Sequence, residues 1–131
     1  MYNILVIDDE SIILDILRKA LSIYGYKVET ASGGSDGLRM FEAGSFDLVI
    51  TDISMPDING IEVARCIRSS DKSQTPIIAM SGTPWRMVDN GFDFTIAKPF
   101  RIKTIMEAVK ALTLNSMNSN TDNLTNTASN S

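Results

Sequence analysis

Five side chains of this sequence have types and positions that could do chemistry together. Each stands one or two positions after a short run of mostly apolar residues. They are Asp8, Asp9, Asp52, Ser81 and Lys98. If these runs are neighbouring strands, three carboxylates meet and repel one another, and oxygen ligands of that kind suit Mg²⁺. A lysine and a hydroxyl beside them add a positive charge and a hydrogen-bond donor. Such a site suits a phosphoryl group, whose transfer needs charge neutralisation and positioning more than proton transfer, and a carboxylate can itself be the nucleophile.

The composition excludes several other kinds of chemistry. Among 131 residues there is no histidine, which removes serine–histidine triads, histidine-ligated zinc and histidine general bases. The chain has 12 basic and 16 acidic residues, a net charge of −4, so no electrostatic attraction to nucleic acid is expected. Carboxylates, hydroxyls, lysine or a hard metal ion must therefore do whatever chemistry there is.

The sequence also predicts where the protein resides. No apolar run approaches the roughly 20 residues that span a bilayer, so membrane insertion is not expected. The N-terminus has no basic region before its first apolar run, which argues against a signal peptide. The lone cysteine, Cys66, fits a reducing compartment. We therefore expect a cytoplasmic protein.

Strand-like runs alternate with helical patterns along the chain. The five runs are residues 4–7, 27–31, 48–50, 77–80 and 94–97. Alternation of this kind predicts an α/β fold with a parallel sheet covered on both faces. Because 27–31 is the run most mixed with polar residues, it is placed at an edge, which favours a flavodoxin-like, doubly wound sheet of order 2-1-3-4-5. In that order the polar residues that follow the strands meet at one edge.

The helices and the C-terminus are less regular. Ser11 is predicted to cap the first helix and Gly25 to end it, and the last helix is expected over about 101–113. Only 16 residues separate Ser81 from Lys98, which predicts a shortened fourth helix at 84–90. Asn, Ser or Thr make up 13 of the last 17 residues, so we predict a domain at 1–113 and a disordered tail at 114–131.

The motifs together resemble a known family. They are Asp8-Asp9-Glu10, Asp52 followed by Met55-Pro56 and Gly60, Ser81-Gly82, and Lys98-Pro99-Phe100. On these residues, positions 1 to about 113 resemble a receiver domain of the bacterial response regulators of two-component systems, of the stand-alone type because no output domain follows. The resemblance implies a signalling phosphoacceptor, not an enzyme with a separate substrate. Its implied partners are a sensor histidine kinase or histidine phosphotransfer protein and a downstream protein target.

The resemblance also implies a role for individual residues. Asp52 would accept a phosphoryl group from a phosphohistidine. The Mg²⁺ ligands would be Asp8, Asp9, Asp52 and the backbone carbonyl of Ser54. Ser81 and Lys98 would contact phosphoryl oxygens, and the Lys98–Pro99 peptide would be cis. The implied switch and contact residues are Thr95, Trp85 and Pro99.

Two departures and two alternatives stay open. Thr95 stands where the family usually has an aromatic residue, so the coupling of phosphorylation to a switch is uncertain, and a phosphorylation-independent interaction module is one alternative. The shortened segment would leave Trp85, Met87 and Phe92 near the surface, unless they pack inward, which is favoured for Phe92. A Mg²⁺-dependent phosphohydrolase is the second alternative, although its nucleophile would normally follow the first strand. The glycines at 33–37 do not have the spacing of a dinucleotide-binding motif.

Overall fold

The computed structural model describes residues 2–82 and 91–125, with side chains described through Leu114. The elements alternate along the chain: β1 Asn3–Ile7, α1 Ser11–Ile23, β2 Lys27–Ala31, α2 Gly34–Ala43, β3 Leu48–Asp52, α3 Gly60–Arg68, β4 Ile77–Ser81, β5 Phe94–Ala97 and α4 Ile102–Thr125. All strand pairs are parallel and the sheet order is β2-β1-β3-β4-β5. The predicted doubly wound α/β fold is confirmed.

Two apolar layers hold the helices to the sheet. Alternate residues of a strand point to opposite faces, so Ile4 and Val6 pack with α1 and α4, whereas Leu5 and Ile7 pack with α2 and α3. β3 and β4 are buried along their whole length, and β2 is the partly exposed edge strand that its mixed sequence predicts. Burying each such aliphatic side chain contributes roughly 1.5–3 kcal/mol, so the central strands form a rigid base for the residues at their ends.

The ends of α1 show one confirmed expectation and one correction. Gly25 follows the helix with φ of 91°, and its amide donates to the Ser22 carbonyl while the Tyr26 amide donates to that of Leu21, a Schellman termination. Ser11 does not cap the helix. It is the first helical residue, and Glu10 occupies the cap position without a side-chain cap. The helix begins earlier because Asp8 Oδ1 accepts the Glu10 amide at 2.9 Å and turns the chain there.

The last helix is longer than predicted. We expected it to end near 113, but α4 continues through Thr125. No proline or glycine follows Pro99, and the low helix propensity of Asn, Ser and Thr costs only tenths of a kcal/mol per residue, so no residue type there stops the helix. Neither α4 nor any other helix of the described part of the chain is apolar enough to cross a membrane. The division at 113 and the disorder of the tail remain predictions.

The segment between β4 and β5 is described only at its ends. The shortened helix predicted at 84–90, with Trp85 and Met87, lies outside the described residues. Phe92, just after it, is half-buried and packs against the apolar layer of α2 and α3. Phe92 therefore packs inward, as was favoured for this residue.

Candidate functional site

The carboxyl ends of four strands bring the predicted residues to one edge of the sheet. Asp8 follows β1, and its backbone amide donates to the Ala31 carbonyl at the end of β2. Asp52 ends β3 and is paired with Met80 of β4, next to Ser81. The Lys98 amide, just past β5, donates to the Ser81 carbonyl at 2.8 Å. The parallel pairing of the strands therefore brings these residues together at one edge of the sheet.

Lys98 lies at the centre of an acidic cluster. Its Nζ is 3.1 Å from Asp8 Oδ2, 3.2 Å from Glu10 Oε1 and 3.3 Å from Asp52 Oδ1. The Asp8 side chain is fully buried and that of Asp52 is 7% exposed, whereas Glu10 is open to solvent. One ammonium thus serves two buried carboxylates, which hold it in place more firmly than a surface ion pair would.

Three carboxylates of this edge are close enough to share a cation. One oxygen each of Asp8, Asp9 and Asp52 lies within 4.8 Å of the others. All three donors are hard oxygens, Asp9 is exposed, and Lys98 supplies only one positive charge against three negative ones. This donor set and this charge excess fit a divalent ion such as Mg²⁺, which binds one or a few carboxylates and keeps several waters.

Burial controls the protonation of the site. It raises the pKa of Asp8, and the charge of Asp52 adds to the effect, while the Glu10 amide and Lys98 oppose it. Burial also raises the pKa of Asp52, with Lys98 and the Ile53 amide as the main opposing influences. For Lys98, burial alone would lower the pKa, but the charges of Asp8 and Asp52 outweigh it and raise the pKa. The ammonium therefore stays charged wherever the carboxylates are ionised.

These shifts predict how metal-free stability depends on pH. An Asp whose pKa is higher in the folded than in the unfolded state destabilises the fold once it ionises, so stability falls as pH rises from 3.8 through the folded pKa. The Asp52→Asn variant removes that ionisation. Without Mg²⁺ we expect it to unfold at a higher urea concentration than the unmodified protein at pH 7, with the difference shrinking as the pH falls toward 4. Equal midpoints at both pH values would contradict this.

The loop after β3 is held against the site at both of its ends. The Ile53 amide donates to the Met80 carbonyl and the Gly60 amide to the Ile53 carbonyl, at 3.0 and 2.9 Å. A Cβ on Gly60 would lie 2.3 Å from the Asp52 carbonyl oxygen, so only glycine permits this approach. Ser54 lies between these ends, at the surface. The two ends of the loop that carries Ser54 are therefore joined next to Asp52.

The remaining predicted residues lie around the site. Ser81 is buried beside Asp52 at the end of β4. Thr95 is half-buried in β5, paired with Ala79, and the Lys98–Pro99 peptide is cis with Pro99 exposed. Trp85 lies outside the described residues. The position of Thr95 does not test its predicted role in a switch, which stays a prediction.

Two contacts next to the site are not predicted by the sequence patterns. Glu10 belongs to the first motif, but its ion pair with Lys98 depends on a contact across 88 positions of the chain. The Asp57 carboxylate accepts hydrogen bonds from the first amides of α2. The sequence signal for such a contact is that Gly33 precedes Gly34 at the start of α2, which leaves the helix without a side-chain cap of its own.

An apolar groove adjoins the acidic cluster. It encloses about 450 Å³ between α1 and the start of α4, and Ile13, Ile16, Pro99, Phe100 and Ile102 line it. Glu10 and Lys98 of the cluster also line it. An apolar side chain that enters this groove from another protein would therefore come close to the cluster.

This fold is shared with known proteins. Residues 4–110 match the response regulator receiver domain family. The response regulator ArlR of Staphylococcus aureus is 33% identical over 115 residues, which is 86% of this chain and 52% of ArlR. The chain belongs to the response regulator receiver family. It spans about half the length of the curated relatives that it matches.

Solved structures agree with that assignment. The response regulator TrrA of Thermotoga maritima, crystallised with Mg²⁺ and BeF, is 38% identical and has a TM-score of 0.79. The match covers 86% of this chain and 99% of TrrA. TrrA in complex with the histidine kinase ThkA also matches, with a TM-score of 0.77 over 98% of TrrA and 86% of this chain, at 38% identity. The class of protein is therefore a two-component signalling receiver.

Proposed function

We propose that this chain takes a phosphoryl group from a phosphohistidine onto Asp52 in a Mg²⁺-dependent reaction and thereby changes its contacts with other proteins. The observation that carries the proposal is the position of Lys98 Nζ, within 3.3 Å of both Asp52 and Asp8 at a shared edge of the sheet. A lysine held there by two buried carboxylates is placed to pair with a phosphoryl oxygen once Asp52 is modified.

The proposed step needs no general base. An Asp52 carboxylate oxygen forms a bond to phosphorus while the phosphorus–nitrogen bond of the phosphohistidine breaks, and the imidazole nitrogen keeps that electron pair. Lys98 moves from Asp52 to a phosphoryl oxygen, and the Ser81 hydroxyl donates to another. Mg²⁺ bound by Asp8, Asp9, Asp52 and the Ser54 carbonyl would neutralise charge on the phosphoryl group. The chain acts on no separate substrate and at most catalyses its own phosphorylation and dephosphorylation.

The apolar groove beside the site supports the proposed partner. A phosphohistidine must come within bonding distance of Asp52, so the donor must dock next to the acidic cluster. The groove lined by Ile13, Ile16 and Phe100 lies there and offers apolar surface to a helix of a sensor histidine kinase or a histidine phosphotransfer protein. The solved complex of TrrA with the histidine kinase ThkA supports such a partner for this chain.

The proposed output is contact with a downstream protein in the cytoplasm. The surface that we propose for it comprises exposed residues of β5 and of the first turns of α4, among them Arg101 and Lys103, whereas Lys110 lies over the Tyr24 ring at the end of α1. The net charge of −4 gives this chain no electrostatic attraction to DNA.

The experiment is incubation with a phosphorylated histidine donor, or with acetyl phosphate, followed by intact mass measurement. We expect one phosphoryl group per chain with Mg²⁺, none with excess EDTA, and none in the Asp52→Asn variant. Asp71→Asn is the matched control, because Asp71 is an exposed turn carboxylate outside the site, and it should be modified like the unmodified protein. Equal modification of Asp52→Asn and Asp71→Asn would contradict the proposal.

A further inference from the structure

The N-terminus of α2 is capped by a carboxylate from another part of the chain. Its own cap residue, Gly33, has no side chain to accept a hydrogen bond. Asp57 supplies the acceptors instead: its Oδ1 accepts from the Gly34 amide at 3.2 Å and its Oδ2 from the Ser35 amide at 2.9 Å. Two of the amides that a helix start leaves unpaired are thus satisfied by one ion. The contact joins α2 to the loop that contains Ser54.

Glycine at 33 and 34 makes this contact sterically possible. A Cβ on Gly34 would lie 2.4 Å from the Ile58 carbonyl oxygen, closer than any real side chain allows. A Cβ on Gly33 would lie 3.2 Å from Asp57 Oδ2. The glycines considered above for nucleotide binding therefore bring the loop against the helix. The Asp57 carboxylate already takes the amides that a phosphate would need.

The loop is held at its ends and at its middle. Its two ends are joined by the Gly60 amide to Ile53 carbonyl hydrogen bond, behind Asp52. Its middle is attached to α2 through Asp57. The helix itself is set on the sheet where Gly37 packs against Ile7, the residue before Asp8. The Asp57 contact therefore links the loop of Ser54 to the same scaffold that positions Asp8.

We propose that Asp57 is a positioning residue for the divalent-cation site: by fastening residues 53–59 to the start of α2, it holds the Ser54 backbone in place beside Asp52. This inference rests on the proposed function, because it concerns the loop that would complete that site. Groups that orient metal ligands without touching the metal commonly change affinity by about tenfold or more. Asp57 acts through the loop and touches neither the phosphoryl group nor Asp52.

The charge state of Asp57 supports the role. The backbone amide of Ser35, with those of Ile58 and Gly34, holds the pKa of Asp57 far below its usual range. The carboxylate is therefore ionised at every pH at which the protein would work, and it lies at the positive end of the α2 dipole. Asparagine at this position keeps the size but loses the charge and one of the two acceptors.

The test measures Mg²⁺ affinity of the full chain by calorimetry, together with amide exchange of the metal-free protein. For Asp57→Ala we expect Mg²⁺ binding about tenfold weaker and faster exchange over residues 53–60, with Asp57→Asn between it and the unmodified protein. Asp71→Asn controls for the loss of one exposed carboxylate and should change neither quantity. At saturating Mg²⁺, the phosphorylation rate of both Asp57 variants should stay within about twofold of the unmodified protein, since Asp52 and Lys98 are untouched.

The outcomes separate this inference from the proposed function. If Asp57→Ala lowers the urea midpoint but binds Mg²⁺ as the unmodified protein does, Asp57 only caps α2 and the inference is wrong. If the unmodified protein binds Mg²⁺ but is never phosphorylated, the proposed function fails while the affinity comparison still decides the role of Asp57. If the unmodified protein does not bind Mg²⁺, both are wrong.

Discussion

Replacing Lys98 with methionine is expected to slow phosphorylation of Asp52 by about a hundredfold, the usual effect of removing one charge-stabilising donor from a transition state. The same change should strengthen Mg²⁺ binding by about tenfold, because the ammonium and the metal compete for the carboxylates of Asp8 and Asp52. Opposite effects of one substitution on metal affinity and on rate would distinguish a lysine that acts on the phosphoryl group from one that merely supports the fold.

The measurements for Lys98 are Mg²⁺ titration of the folded protein and the initial rate of acetyl phosphate uptake at saturating Mg²⁺. Lys103→Met is the matched control, because Lys103 is an exposed lysine in the first turns of α4. It should leave both quantities within about twofold of the unmodified protein, as expected for a solvated charge. A Lys98→Met variant that loses Mg²⁺ affinity and rate together would point to a disrupted site and contradict the role proposed here.

Replacing Arg68 with alanine is expected to lower the free energy of unfolding by about 3 kcal/mol, the scale of losing several charge-assisted hydrogen bonds from a half-buried group. Its guanidinium donates to three backbone carbonyls, those of Ser73, Thr75 and Gly91, and forms an ion pair with Asp93 at 2.8 Å. Arg68 thereby joins the end of α3 to the two segments that lead into β4 and β5. Its loss leaves both segments without their common donor.

The control for Arg68 lies one helical turn earlier. Arg65 is 64% exposed, and within the described residues it pairs only with Glu62 on its own helix, so Arg65→Ala should change the free energy of unfolding by less than about 0.5 kcal/mol. Urea unfolding of the two variants side by side gives the comparison. If the two variants unfold at the same urea concentration, the contacts of Arg68 contribute no more to stability than a surface ion pair does, which would contradict the prediction.

The two arginines illustrate what the sequence could and could not predict. Both are basic residues in the last turn of α3, where a positive charge complements the helix dipole, and nothing local distinguishes them. The partners of Arg68 are contributed by residues 73, 75, 91 and 93, which only the tertiary fold brings together. Asp57 was missed for the same reason, because a cap supplied from 23 positions away has no local pattern.

Strand positions were predicted well because apolar runs and their order constrain a parallel sheet strongly. Once the order 2-1-3-4-5 is given, in-register pairing brings Asp8, Asp52, Ser81 and Lys98 to one edge, so the site could be predicted from strand ends alone. Helix ends were predicted less well. At the start of α1 the Asp8 carboxylate, not Ser11, turns the chain, and α4 continues because no breaker residue follows Pro99.

Mapping the modified residue tests the central claim most directly. The protein is phosphorylated with acetyl phosphate and Mg²⁺, reduced with borohydride, digested, and sequenced by mass spectrometry. Reduction converts an aspartyl phosphate to homoserine and leaves free carboxylates unchanged. We predict homoserine at position 52 alone, and none when Mg²⁺ is withheld. Homoserine at Asp8, Asp9 or Asp57, or none anywhere in a protein that binds Mg²⁺, would contradict the assignment of Asp52 as the phosphoacceptor.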